Sequence, residues 1–147
     1  MVRPDQGSLI TRHIADSRVG AYAHEDYLRR RGVPLTPADL LQHDLIGFDQ
    51  GDLIIRRFQE MGLSIARDRF AIRSDDHLVL WEALRAGLGI GFAGIRLGDK
   101  EVEVQRVLPD LTVTLPIWLT VHREIRSSAR IRAVYNFLAK AIPEALA

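Results

Sequence analysis

The stretch FAIRSDDHLVLWEALRAGLGIGFAG, residues 70–94, reads at every position as strand, helix and strand in succession. Phe70, Ala71 and Ile72 form a short apolar run that ends at Arg73. Ser74 has the short side-chain oxygen that accepts from orphan amides at a helix start, and Asp75 and Asp76 set negative charge against the positive end of the helix dipole. The spacing predicts a helix from Ser74. Leu78, Trp81, Leu84 and Leu88 keep a helical rhythm, and Val79, Leu80 and Ala83 widen the stripe until little polar surface is left. Such a helix packs against a sheet. Gly87 is its stop, because glycine takes the left-handed position after a helix without steric penalty. Residues 88–93 then read as a buried strand, with glycines where another backbone comes close. A strand, a crossover helix and a second strand make a βαβ unit, so the sheet is at least partly parallel and the fold class is α/β.

Gly89-Ile90-Gly91-Phe92-Ala93-Gly94 matches the G-x-G-x-x-G pattern letter for letter. A dinucleotide fingerprint follows a strand and opens a helix, whereas these glycines follow a helix and lie in a strand. No nucleotide cofactor is expected.

The remaining chain fits the same alternation. Residues 1–17 are polar and read as a connector without an element of their own, and residues 18–23, RVGAYA, read as a strand. Residues 25–31 form a short helix closed by Gly32 and Pro34. Thr36, Pro37 and Asp39 signal a second helix start with a capping box. Residues 45–48 read as a buried strand, and Asp52 as the cap of a helix that places Ile54, Ile55, Phe58 and Met61 on one face and stops at Gly62. Residues 97–103 read as charged loop and 104–109 as a short edge strand. Val113, Leu115, Ile117, Leu119 and Val121 alternate with other residues at a period of two, which marks a long strand, and Pro116 places it at an edge or a bend. In the final helix, begun by Ser127 or Ser128, Ile131, Val134, Tyr135, Leu138 and Ile142 make the buried stripe, while Arg132, Asn136 and Lys140 face water.

Composition closes off several functions. A formal net charge of +1, from 20 basic and 19 acidic residues, gives no global field to hold nucleic acid or a membrane. With no cysteine, disulfides, thiol catalysis and cysteine-ligated zinc are excluded. No apolar run approaches the roughly 20 residues of a membrane span, and the first residues lack the apolar core of a signal peptide. The expected compartment is the cytoplasm. His13, His24, His43, His77 and His122 are scattered without a metal-ligand spacing, so no metal site is expected. Ser74 with Asp75 and His77 reads as a capped helix start rather than a hydrolase triad, since neighbours on one helical turn do not line up nucleophile, base and orienter. Trp81 reads as core. Nothing in the residues supports catalysis.

One functional argument survives. In open α/β sheets, ligands bind beyond the carboxyl ends of parallel strands, where loops and helix starts present free amides. The strand ends here are Ala23-His24, Phe48-Asp49, Arg73-Ser74-Asp75 and Ala93-Gly94. They are expected to converge on one rim.

Three segments in order, SRVGAYAHEDYLRRRGVPLTPADLLQHDLIGF, FAIRSDDHLVLWEALRAGLGIGF and VQRVLPDLTVTLPIWLTVHREIRSSARIRAVYNFLAKAIP, resemble the effector-binding region of LysR-type transcriptional regulators. The resemblance runs from about Arg3 to the C-terminus. It implies a fold like that of periplasmic binding proteins, with two α/β lobes, a small-molecule effector in the cleft, pairing into dimers, and a separate winged helix-turn-helix that reads DNA. Against that pattern, this stretch of chain is expected to hold no helix-turn-helix and not to include the segment that begins the first lobe. It is expected to comprise a connector from that segment (1–17), one complete second lobe (18–109) and the returning strand and helix of the first lobe (110–147).

By position, the resemblance implies effector contacts from Arg73, Ser74 and Asp75, with Phe48 and Gly94 nearby. The effector is expected to be small, polar and anionic. The chain alone is expected not to bind DNA directly and to form a homodimer. The competing reading is a stand-alone interaction or solute-binding module that modulates a partner by dimerisation.

Overall fold

The computed structural model describes residues 8–146. The chain divides into two compact units, one of residues 19–113 and one of residues 1–18 with 114–147.

In the unit of residues 19–113, the strand Leu9–His24 (β1) contributes its second part and leads into the helix Glu25–Arg31 (α1). His24 caps α1 with its own ring, Nδ1 accepting from the Asp26 amide at 3.1 Å. A 3-10 turn over Pro37–Gln42 follows, held at its start by the Asp39 carboxylate, which accepts from the amides of Leu35 and Thr36 at 2.9 and 2.8 Å. Next come strand Leu45–Gly47 (β2), helix Leu53–Glu60 (α2), strand Phe70–Arg73 (β3), helix His77–Arg85 (α3), strand Gly91–Gly94 (β4) and the short helix Ile95–Gly98 (α4). The strand Val104–His122 (β5) begins here.

β2 and β3 pair in parallel, with Ile46 opposite Ile72 and Gly47 opposite Arg73. β4 pairs antiparallel with β1, placing Val19 opposite Gly94, and β1 separates β4 from β5. A parallel bridge between Leu45 and Ile90 ties the two sheets together: the Ile46 amide donates to Ile90 at 2.9 Å, and the Ile90 amide donates to Asp44 at 2.8 Å. The strands therefore run in the order β3, β2, β4, β1, β5. The β3–α3–β4 crossover passes over β2, as the parallel reading requires.

Alternation along these strands feeds two cores. Ala21, Ala23, Leu45 and Phe70 join Tyr27 and Leu28 of α1 and Phe58 of α2. Tyr22, Ile46 and Ala93 join Ala83 and Leu84 of α3. Helices thus cover both faces of the sheet, because neighbouring strand residues point to opposite sides. The glycines of the 89–94 run serve this packing. A Cβ on Gly89 would run into the Asp44 carbonyl oxygen, and Gly94 precedes only the four-residue α4.

Several expectations need correction. α3 starts later than predicted: its cap is Asp76, whose Oδ1 accepts from Leu78 and Val79 at 2.8 and 3.4 Å, while Ser74 Oγ accepts from the Asp76 amide at 3.1 Å. A carboxylate within reach of two amides displaced the hydroxyl from that role. The apolar stripe of α3 is also narrower than its composition suggested. Leu78 and Val79 are 75% and 49% exposed, because the sheet reaches only the face carrying Ala83 and Leu84. At the other end the sequence was a good guide. Gly87 has φ of +69°, its amide donates to Leu84, and the Leu88 amide reaches back to Ala83 at 3.2 Å, a Schellman closure. Residues 95–98, partly read as loop, form α4.

The two strands read near the C-terminus are one, β5. It turns at Leu108, whose φ of +49° is costly for a branched side chain.

In the unit of residues 1–18 and 114–147, the first part of β1 lies in the region read as connector, and it is strand from Leu9 onward. With it are the later part of β5, an edge strand as Pro116 suggested, and the helix Ala129–Leu146 (α5). His13 meets Trp118 edge to face at 5.3 Å. Among the described side chains of this unit, only that of Val121 is buried. The stripe expected to be buried on α5 is half-covered at Ile131, Tyr135, Leu138 and Ile142 and exposed at Val134, because a two-stranded ribbon is too narrow to cover a helix face.

Candidate functional site

Parallel pairing puts the carboxyl ends of β2 and β3 at one edge, with Gly47 beside Arg73. The Ser74 amide donates to the Gly47 carbonyl at 3.1 Å, extending the ladder by one residue. Beyond that point the chains separate into two loops, 48–52 and 74–76.

Asp75 joins them. Its carboxylate accepts from the Gln50 amide at 3.0 Å and the Gly51 amide at 3.2 Å. Those amide bonds, Gly51 first and Gln50 next, hold its carboxyl below the usual aspartate range, and Arg67 adds to the effect. Arg67 works from the other side. Its guanidinium donates to the carbonyls of Asp49 and Gly51, the latter at 3.0 Å. The 48–51 loop therefore has its amides held by a carboxylate and its carbonyls by an arginine. Arg73 points to Asp49 at 3.7 Å, a long and half-exposed ion pair. Phe48 meets His77 edge to face at 5.4 Å.

The structure thus gathers Phe48, Arg73, Ser74 and Asp75 into one rim. Gly94 ends β4, one strand beyond β2, where it pairs with Val19 and opens α4. Arg67, Asp76 and His77 belong to the same rim but were not expected there, whereas Asp49 was read as a strand end though not as an effector contact. The signal for Arg67 was weak: an Arg-Asp-Arg turn ahead of a strand has no pattern that predicts which carbonyls it will find.

The chemistry on offer is mixed. Arg73 and Asp49 present opposite charges that are only loosely engaged, and Phe48 and His77 add an aromatic wall. The amides of Leu78 and Val79, which a free helix start would present to an anion, are already taken by Asp76. Among the described residues no group of three or more His, Cys, Asp or Glu is placed to hold a metal ion.

The sequence model of the LysR substrate binding domain matches residues 1–143. The chain belongs to that family. It is an effector-binding domain of LysR-type transcriptional regulators, with their periplasmic-binding-protein-like fold. The CrgA regulatory domain of Neisseria meningitidis, a LysR-type transcriptional regulator, is similar in structure with a TM-score of 0.79 at 22% identity, over 99% of this chain and 72% of that one. The effector domain of the transcriptional regulator AmpR from Pseudomonas aeruginosa gives 0.74 at 20% identity, over 97% and 68%. The regulatory domain of AphB from Vibrio vulnificus gives 0.67 at 18%, over 95% and 71%. No curated protein matches the sequence. Among the described residues no helix is long and apolar enough to cross a membrane.

Proposed function

We propose that this LysR-type domain senses a small polar effector, anionic in character, at the rim of Phe48, Arg73, Ser74 and Asp75, with Gly94 at its border. The observation that carries the reading is the grip of Asp75 on the Gln50 and Gly51 amides, because it makes two strand-end loops move as one. A ligand that engages Arg73 and the Ser74 hydroxyl changes the balance of charge against Asp49 and Asp75, and so reaches both loops at once. Arg73 is the group suited to an anion, since its 3.7 Å contact with Asp49 leaves donors available. The competing carboxylates favour modest affinity.

The rest of the reading follows the family. The chain acts in transcription control rather than catalysis, in the cytoplasm, without binding DNA on its own. Residues 18–109 form the second lobe, and 110–147 return to the first, a division that the compact unit of residues 19–113 supports. The chain pairs as a homodimer. That part rests on the sparse burial of residues 114–146, where apolar side chains stay half-covered.

Thermal shift against a panel of small carboxylates, phosphates and sugar acids tests the site. Stabilisation by at least one anion is expected, and Arg73→Ala and Ser74→Ala should each weaken it. If both variants respond to every stabilising anion as the parent does, the effector binds elsewhere.

A further inference from the structure

Beside its half-covered stripe, α5 carries a second row of residues. Arg130, Val134, Phe137, Ala141 and Glu144 recur at steps of four, three, four and three, the spacing that keeps one line of side chains along a helix–helix seam. Val134 and Phe137 in the middle of that line are 57% and 68% exposed. Two large apolar side chains on one exposed line of a helix mark a place another surface covers. Arg130 and Glu144 close the two ends, and among the described residues neither has an ion-pair partner.

We propose that this line is the seam of a two-fold, antiparallel pairing of α5 with a second copy of the chain. Phe137 stands midway, seven residues after Arg130 and seven before Glu144. Antiparallel pairing centred on Phe137 therefore brings Arg130 of each copy level with Glu144 of the other, at both ends of the seam. The helix termini fit the same arrangement. α5 has no acidic residue in its first turn and no basic residue in its last, so neither end is compensated by its own charges. Two antiparallel copies set the positive end of one helix dipole beside the negative end of the other. A two-fold contact uses the same patch on each copy and closes on itself. Parallel pairing would set Arg130 against Arg130 and Glu144 against Glu144, which like charges disfavour.

The inference rests on the homodimer reading and names its surface. Sedimentation equilibrium on the full chain tests it, with circular dichroism to confirm that each variant is folded. A dimer is expected. Phe137→Asp should leave a monomer. Arg130→Glu and Glu144→Arg should each raise the dimer dissociation constant roughly tenfold or more, and the double variant Arg130→Glu/Glu144→Arg should return it to near the parent value. Arg132→Glu, exposed on the opposite side of the helix, should change nothing. A monomeric parent would overturn both the seam and the homodimer reading, and would leave the apolar line to a different occupant. A dimer that withstands Phe137→Asp and both charge reversals would keep the homodimer reading and overturn the seam.

Discussion

The Tyr27 hydroxyl lies 3.1 Å from Nδ1 of His43, which is almost fully buried, and it accepts the Asp44 amide at 2.8 Å. The contact joins α1 to the end of the 3-10 turn. Burial, and secondarily Arg31, push the His43 pKa below its ordinary 6.5, while Asp44 and Asp39 oppose the shift. The ring is therefore neutral in the folded chain. An unfolded histidine takes up its proton near pH 6.5 and the folded one only at lower pH, so the unfolded state binds more protons in that interval. Stability should be full above about pH 6.5 and should fall as the pH drops through that value toward the lowered one. Urea melts between pH 5 and 8 check this, and His43→Gln should flatten the slope.

Asp75 should also lose its contribution on acidification, but as a group that stabilises in its charged form. Its depressed carboxyl contributes above the unfolded aspartate value of about 3.9, and that contribution is lost as the pH falls through the lowered folded value. Asp75→Ala should speed hydrogen exchange at the Gln50 and Gly51 amides while leaving those of β1 and β4 protected. Exchange followed by NMR decides it, and unchanged Gln50 and Gly51 protection would refute the clamp.

Phe58 is 1% exposed and meets Phe92 edge to face at 6.3 Å, so it anchors α2 to the sheet. Phe58→Ala should cost about 3–5 kcal/mol in a denaturant melt. Leu78→Ala on the exposed side of α3 should stay within about 0.5 kcal/mol of the parent.

Gly87 and Gly89 should respond differently to alanine. Gly87 has room for a Cβ but a left-handed backbone, so Gly87→Ala should cost about 1–2 kcal/mol. At Gly89 the added carbon meets the Asp44 carbonyl oxygen, a backbone atom that holds the bridge to Ile90. Gly89→Ala should cost about 3 kcal/mol or more. Thermal melts of the two variants give the order.

The elements with local signals were legible. Gly32, Gly62 and Gly87 end helices with positive φ, and the Asp39 start is set by residues within four of one another. The alternation of residues 18–23 gave a strand whose faces the structure fills on both sides. What failed depended on distance. Ser74 and Asp76 are equally good caps on paper, and the choice between them is made by where β3 stops pairing. The breadth of the α3 stripe overstated its burial, because an apolar side chain is covered only if a neighbour reaches it. At the rim, the position of Arg73, Ser74 and Asp75 at a strand end could be read, but not that Asp75 turns toward Gln50, 25 residues earlier. Residues 9–17 misled because a polar ribbon strand has no apolar face to betray it.

The unit that holds α5 is made of two chain segments separated by all of residues 19–113. Its contacts are therefore of very high sequence separation, and closing so long a loop costs entropy that few buried side chains return. Residues 19–113 carry the dense cores and mostly local helix and strand contacts, so they condense first and hold the two segments near one another. The order of folding is then set by connectivity. The first part of β1, up to residue 18, and the part of β5 from residue 114 are late arrivals, and mutations there should alter the unfolding rate while leaving the folding rate almost untouched.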